Sequence, residues 1–241
     1  MRAERPGSHH PYTAAVIVAA GSGTRMGGTA KPLIPLYKGK TVFEYVLDAF
    51  ADCPVIDEII VVCKDKSLFE PLLGGRKAVF APGGSTRALS VFNGVQKAGA
   101  HAEFVCIHDC ARPFITSGDI SAVCNKAYET SAASGCVNTR DTIKYLEPEH
   151  NVLFTPKREN LISVVTPQVF RRDVYLAAYS ASLGGAEATD ETTICERAGF
   201  TVSYVPLDSN TMKLTTAYDV KLAKAVCFLD RSENKRGEAD V

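Results

Sequence analysis

The residues with most chemistry to offer lie in one glycine-rich stretch, Gly21-Ser-Gly-Thr-Arg-Met-Gly-Gly-Thr-Ala-Lys31. Glycines let a backbone approach an anion closely and turn its amides toward it. Arg25 and Lys31 add two cations to the same loop, and no Asp or Glu occurs from Arg5 to Phe43. A phosphate chain placed there meets no repelling carboxylate. Two familiar phosphate motifs are absent. The loop has no Gly-Lys-Ser/Thr, so it is not an ATPase-type P-loop. Met26 stands where the dinucleotide fingerprint needs its third glycine. The plain alternative is a glycine-rich surface turn with two solvated cations.

Pro82-Gly-Gly-Ser-Thr-Arg-Ala-Leu-Ser90 forms a second glycine turn. Its amides and the hydroxyls of Ser85, Thr86 and Ser90 suit a base or a phosphate, although the same residues also make an ordinary helix start with Ser85 as its cap. In Ile107-His-Asp-Cys-Ala-Arg-Pro113, Asp109 falls where a strand should end, beside the phosphate loop. That is a natural place for a Mg²⁺ ligand, whereas His108 reads as a satisfied core histidine. Cys106, His108 and Cys110 alternate and would share one face of a strand, but no fourth ligand follows at metal-site spacing, so a metal centre is set aside. Arg140-Asp-Thr-Ile-Lys144 and Lys157-Arg158 gather cations that suit a phosphate or a solvated basic face. Asp190 reads as a helix cap, and nothing local assigns Lys213. No Gly-x-Ser-x-Gly elbow and no His-Glu-x-x-His occurs. The chemistry these residues favour is charge stabilisation at phosphorus, without a covalent intermediate.

The elements that must position them alternate. Apolar runs at residues 15–20, 59–63, 78–81 and 104–107 read as buried strands. Helical spacing follows at Phe43 to Phe50 behind Thr41, at Leu89 to Val95 behind Ser85, and over 119–132; a further strand is expected at 135–138. This pattern predicts an α/β fold, a doubly wound, mostly parallel sheet of Rossmann-like nucleotidyltransferase type. Between residues 140 and 165 the rhythm changes to short strands at 144–146, 152–154 and 161–165, read as an inserted antiparallel β-arm. Helices at 172–182 and 191–198, a strand at 201–205 and a helix at 218–229 close one domain over residues 14–229. Residues 1–13 read as a disordered extension without a secretory signal, and 230–241 as a flexible tail.

The chain has 241 residues, a formal net charge of zero, 46% hydrophobic and 22% charged residues. This balance supports a sizeable core and argues against a nucleic-acid footprint. No apolar run approaches the roughly 18 residues of a membrane span. The eight cysteines are scattered without a Cys-x-x-Cys pair, the usage of reduced thiols in a cytoplasmic protein.

Taken in order, Ala19 to Met26, Gly83 to Val91, His108 to Pro113, Arg140 to Lys144, Thr166-Pro-Gln168, Thr189-Asp-Glu191 and Met212-Lys-Leu-Thr215 resemble the 2-C-methyl-D-erythritol 4-phosphate cytidylyltransferases of the non-mevalonate isoprenoid pathway. The resemblance runs from about Ala14 to Leu229. It implies an enzyme that transfers CMP from CTP to methylerythritol phosphate and releases pyrophosphate. It implies a homodimer through the β-arm, Mg²⁺ as cofactor, and no nucleic-acid or membrane partner. By the same resemblance Ala19, Ala20, Gly21 and Gly23 would wrap the CTP phosphates, with Cys110 nearby, and Arg25 and Lys31 would stabilise the charge that builds during transfer. Gly84, Ser85 and Ser90 would read cytosine and ribose. Asp109 would lie near the metal and the substrate hydroxyls. Arg112, Thr142 and Thr189 would contact the alditol phosphate, which Lys213 and a partner's Arg158 would position.

Three positions depart from the family pattern. Lys31 precedes Pro32 with no Gln after it, Thr211 stands where Asn is usual with Asn210 beside it, and Cys110 replaces alanine. A ribitol-5-phosphate cytidylyltransferase is the nearest competing reading, and a non-catalytic nucleotide-binding protein of the same fold is a second. Thr189-Asp-Glu191, and Arg140 to Lys144 with Arg158-Glu-Asn160 downstream, favour the methylerythritol enzyme over the first. Arg25, Asp109 and Lys213 together argue against the second.

Overall fold

A computed structural model describes residues 10–21, 30–149, 151–185, 188–207 and 211–237, with side chains as far as Leu229. The chain opens with β1 (Thr13–Val18), the small hairpin β2 (Pro35–Tyr37) and β3 (Lys40–Thr41), α1 (Val42–Ala51), β4 (Glu58–Cys63) and β5 (Val79–Pro82). It continues with α2 (Arg87–Lys97), β6 (Phe104–Asp109), α3 (Ser117–Thr130) and β7 (Ala132–Asn138). A short ribbon, β8 (Tyr145–Leu146) and β9 (Val152–Phe154), leads to β10 (Ile162–Arg171), α4 (Arg172–Ser182), α5 (Glu191–Arg197), β11 (Ser203–Pro206) and α6 (Ala217–Gly237).

Seven strands make one sheet in the order β11-β7-β10-β6-β1-β4-β5. The pairs β1–β4, β1–β6, β4–β5 and β7–β11 are parallel, and β10 runs antiparallel to both β6 and β7. The mostly parallel α/β architecture is the one expected. Its apolar runs are continuous because both faces are covered. Along β1, Ala15 and Ile17 enter one core layer with Phe43, Leu47, Ile120 and Val123 of α1 and α3. Ala14 and Val16 enter the other with Val91, Val95, Tyr175 and Ile194 of α2, α4 and α5. That is the two-residue alternation of a strand. Phe43, Leu47 and Phe50 are fully buried, each stabilising the fold by about 1.5–3 kcal/mol.

Helix starts are written locally. Thr41 caps α1 by accepting from Glu44 N while Glu44 reaches back to Thr41 N, a reciprocal box that Thr116 and Asp119 repeat on α3. The cap of α2 is Thr86 rather than Ser85, because the Thr86 hydroxyl accepts from Leu89 N. Helix α3 ends at Thr130, where Ser131 turns left-handed (φ 69°), so β7 begins at Ala132 and not at 135.

Residues 161–165 also differ from expectation. Ile162 to Val165 are the first half of β10, paired with β7 in the central sheet, and Val165 is buried in the core. Among the described residues of 140–165, β8 and β9 pair apart from it as an antiparallel ribbon. Sequence patterning did not anticipate the β2–β3 hairpin, which packs Ile34 and Leu36 with Leu214, Val220 and Ala223 to hold α6. Residues 1–9 and 238–241 of the expected extension and tail lie outside the described residues, Thr13 already belongs to β1, and α6 continues to Gly237.

Candidate active site

The main cleft, about 360 Å³, lies beyond the carboxyl ends of β1, β4, β5 and β6, where open parallel sheets place their ligands. Its lining includes Ala19, Ala20 and Gly21 after β1, Lys64 after β4, Gly84 to Arg87 and Ser90 at the start of α2, Asp109 ending β6, and Lys31 and Lys213 from the loops. Among the described lining residues, Lys31, Lys64, Arg87 and Lys213 carry positive charge and Asp109 alone is a carboxylate. A chain of zero net charge thus concentrates positive charge in one concavity, which raises the local concentration of anions.

Two glycine turns meet there. The backbone after β1 is held by Ala19 N donating to Val62 O (2.8 Å), and the second turn by Gly83 N donating to Cys63 O (3.0 Å). A Cβ on Gly83 would stand 2.5 Å from Ala20 Cβ, so the close approach of the two turns requires glycine. Ser90 stitches the second turn, accepting from Gly84 N and donating to Thr86 O, both at 2.9 Å. Helix α2 rests directly on the sheet, since a Cβ on Gly94 would lie 2.4 Å from Val16 Cγ1. That seating brings Arg87, its first residue, to the end of β6.

Asp109 is ringed by cations. Its Oδ2 accepts from Lys213 Nζ at 2.7 Å, and its Oδ1 lies 3.1 Å from both Nε and Nη2 of Arg87, with Arg112 Nε 3.9 Å away. Burial alone would raise the Asp109 pKa, but Arg87 and Lys213 outweigh it and hold the carboxyl well below its ordinary range. His108 is fully buried, and burial pushes its pKa down to about 4. The Thr166 hydroxyl accepts from Asp109 N (3.1 Å) and so donates to His108 Nδ1 (3.0 Å), leaving Nε2–H for Arg112 O (3.2 Å). The neutral imidazole therefore ties both ends of the Asp109–Arg112 loop to β10. The satisfied core histidine expected from sequence is what stands here.

The structure brings Ala19, Ala20, Gly21, Lys31, Gly84, Ser85, Ser90, Asp109 and Lys213 together around the cleft. Cys110 is not at its surface. Its thiol is fully buried in the core and burial drives its pKa up, so it is chemically quiet. Arg112 sits behind the cleft, donating to Thr211 O at 2.5 Å. Thr189 immediately precedes Asp190, the cap of α5. Thr142 and Arg158 are exposed on and beside the ribbon, where Arg158 donates to Arg140 O (3.1 Å) and lines a separate hollow of about 350 Å³. Gly23 and Arg25 lie outside the described residues.

Sequence reasoning missed Lys64, Arg87 and Glu191. One signal pointed to Arg87: a cation in the first turn of a helix opposes the helix dipole, so it needs a partner elsewhere. The Glu191 partnership had no such signal, being made across 104 residues of chain. As for a metal, no group of three or more His, Cys, Asp or Glu is placed to hold one among the described residues. Mg²⁺ is content with one or two carboxylates plus substrate phosphates. Asp109, buried and ionised at the cleft, therefore fits a cation that arrives with a nucleotide.

Fold and cleft define a nucleotidyltransferase-type α/β protein that handles a phosphorylated nucleotide. A family profile for 2-C-methyl-D-erythritol 4-phosphate cytidylyltransferase matches residues 13–228, and the chain belongs to that family. The cytidylyltransferase of that name from Symbiobacterium thermophilum is 36% identical, over 87% of this chain and 90% of the relative. The crystal structure of the 4-diphosphocytidyl-2C-methyl-D-erythritol synthase of Anaerococcus prevotii superimposes with a TM-score of 0.81 at 28% identity, covering 90% of this chain and 96% of the other. The Thermus thermophilus cytidylyltransferase gives 0.70 at 29% identity, covering 88% and 97%. The chain is accordingly an enzyme that transfers CMP from CTP to 2-C-methyl-D-erythritol 4-phosphate in isoprenoid precursor synthesis.

Proposed function

We propose that the transfer is an in-line displacement run by the cations of this cleft. The observation that carries this is that, among the described residues lining the cleft, one carboxylate, Asp109, is set with Lys31, Lys64, Arg87 and Lys213 beyond the strand ends. Both reactants are anions. The acceptor's phosphate oxygen attacks the α-phosphorus of CTP, and pyrophosphate leaves. Ala19 to Gly21 and Gly84 border the nucleotide, and Lys31, with Arg25 six residues before it in sequence, stabilises the charge that accumulates on the transferring and leaving phosphates. Lys213, held by Asp109 at 2.7 Å, orients the acceptor's phosphate, with Arg112 and Thr189 behind it. A divalent cation such as Mg²⁺, when bound, would neutralise phosphate charge, and Asp109 would be the residue to hold it.

The same reading extends to assembly. Tyr145, Leu146, Val152, Leu153 and Phe154 are exposed, and the Tyr145 and Phe154 rings stack with centroids 5.0 Å apart. An apolar ribbon of this kind suits a homodimer in which Thr142 and Arg158 complete a partner's acceptor site. No helix among the described residues is long and apolar enough to cross a membrane, and eight cysteines that are all buried suit the reducing cytoplasm.

The test is pyrophosphate release from CTP and Mg²⁺ with methylerythritol phosphate and ribitol phosphate offered separately. Release with methylerythritol phosphate alone is expected. Release with ribitol phosphate instead would keep the CTP site and refute the acceptor, and release with neither would refute the roles given to Lys31 and Lys213.

A further inference from the structure

We propose that Glu191 is a positioning residue, which clamps Arg87 so that Asp109 presents one fixed oxygen to Lys213. The geometry is a two-sided bridge. Arg87 Nη1 is chelated by both Glu191 oxygens, 2.8 Å to Oε1 and 2.7 Å to Oε2, while its Nε and Nη2 edge lies 3.1 Å from Asp109 Oδ1. Oδ2 is left for Lys213. Glu191 is fully buried, at the start of α5, yet Arg87 reaches it from α2 and lines the cleft. No cation other than Arg87 is shown bonded to Glu191 among the described residues.

A buried carboxylate is costly unless it is paired and hydrogen-bonded. Burial drives the Glu191 pKa up while Arg87 opposes it. The backbone beneath Glu191 is rigid as well: Asp190 caps α5 through Thr193 N (3.0 Å), and Gln168 Nε2 ties Asp190 to β10 at 2.8 Å.

The clamp has a chemical consequence. A guanidinium bordering a phosphate cleft is drawn to any triphosphate that enters, because Arg pairs with phosphate bidentately. Were Arg87 to swing, Asp109 would lose its tether on Oδ1 and rotate, and Lys213 would lose its aim. Glu191 supplies the opposing pull from the core. It acts through Arg87 and does not touch the nucleotide.

The test compares E191Q, R87K and the double variant in the full chain, with CTP, methylerythritol phosphate and Mg²⁺. Gln keeps the shape of Glu191 but presents an amide to Arg87. Lys keeps the charge of Arg87 but spans only one carboxylate. We expect each single variant to lose about tenfold or more in kcat, with KM for CTP within about twofold. The double variant should be no worse than the poorer single, since both break one bridge. If the singles do not fold, R87L/E191M removes both charges together and leaves neither buried alone; it too should lose tenfold in kcat. A kcat within twofold of the parent in E191Q or in R87L/E191M overturns the proposal by making the pair purely structural. A rise in KM for CTP with kcat intact in R87K overturns it by making Arg87 a direct nucleotide contact.

Discussion

Acidifying the protein from pH 7 to pH 4 should remove about 3 kcal/mol of stability through His108 alone. The ring is buried against Phe50, with centroids 5.2 Å apart, and accepts from Thr166 on one side while donating to Arg112 O on the other. A second proton would cost it the bond it accepts from Thr166, and burial outweighs the pull of the neighbouring Arg112 carbonyl and Asp109 carboxylate. Burial lowers its pKa from 6.5 to about 4. Sign follows from which state binds the proton: below 6.5 the unfolded chain protonates first and is favoured, so stability declines from pH 6.5 downward and levels off below about 4. Each pKa unit corresponds to about 1.4 kcal/mol, which places about 2 kcal/mol of the loss above pH 5. Asp109 and Asp219, both shifted down from 3.8, lose their contributions only below that range, so the windows separate. The assay is chemical denaturation at half-unit pH steps, without nucleotide and with chelator, of the parent and of His108→Gln, which cannot titrate. The difference between the two should slope by about 3 kcal/mol between pH 7 and 4. A flat difference would refute the argument that this imidazole is held neutral by burial.

Asp109→Asn should cut turnover by roughly 10²–10³, because it removes the carboxylate that aims Lys213 while keeping its shape; steady-state kcat checks this, and a tenth or more of parental turnover would count against it. Lys31→Ala should lower turnover by a similar roughly 10²–10³, and unchanged pyrophosphate release would remove Lys31 from the mechanism. Gly94→Ala forces a methyl to 2.4 Å from Val16 Cγ1 and 2.7 Å from Val62 Cγ2, which should cost about 1–3 kcal/mol and lower Tm. Thr41→Ala deletes the cap of α1 and should cost about 1 kcal/mol, with activity retained.

Much of this protein is written in stretches short enough to read directly. Apolar runs such as Ala14 to Ile17 can only be buried strands, and Thr41 with Glu44, or Thr116 with Asp119, start helices by bonds that close within four residues. The glycine turns, Lys31 and Asp109 were visible for the same reason: their chemistry depends on neighbours in the chain and on a strand ending where the apolar run stops. What needed the folded chain were interactions between residues far apart in sequence. Residues 161–165 read from their pattern as an arm strand, and only the pairing of Ile162 to Val165 with β7 places them in the central sheet. Cys110 shares its segment with Asp109, yet alternation along the strand's end turns one into the core and the other into the cleft. Arg87, a cation out of place at a helix start, and Glu191, an ordinary helix-start residue, meet only once α2 and α5 are laid on the same face of the sheet. Local pattern determines which elements form and which residues can carry charge chemistry. Which charges meet is decided by packing, because a buried ion pair is worth forming only where the rest of the core has already excluded water.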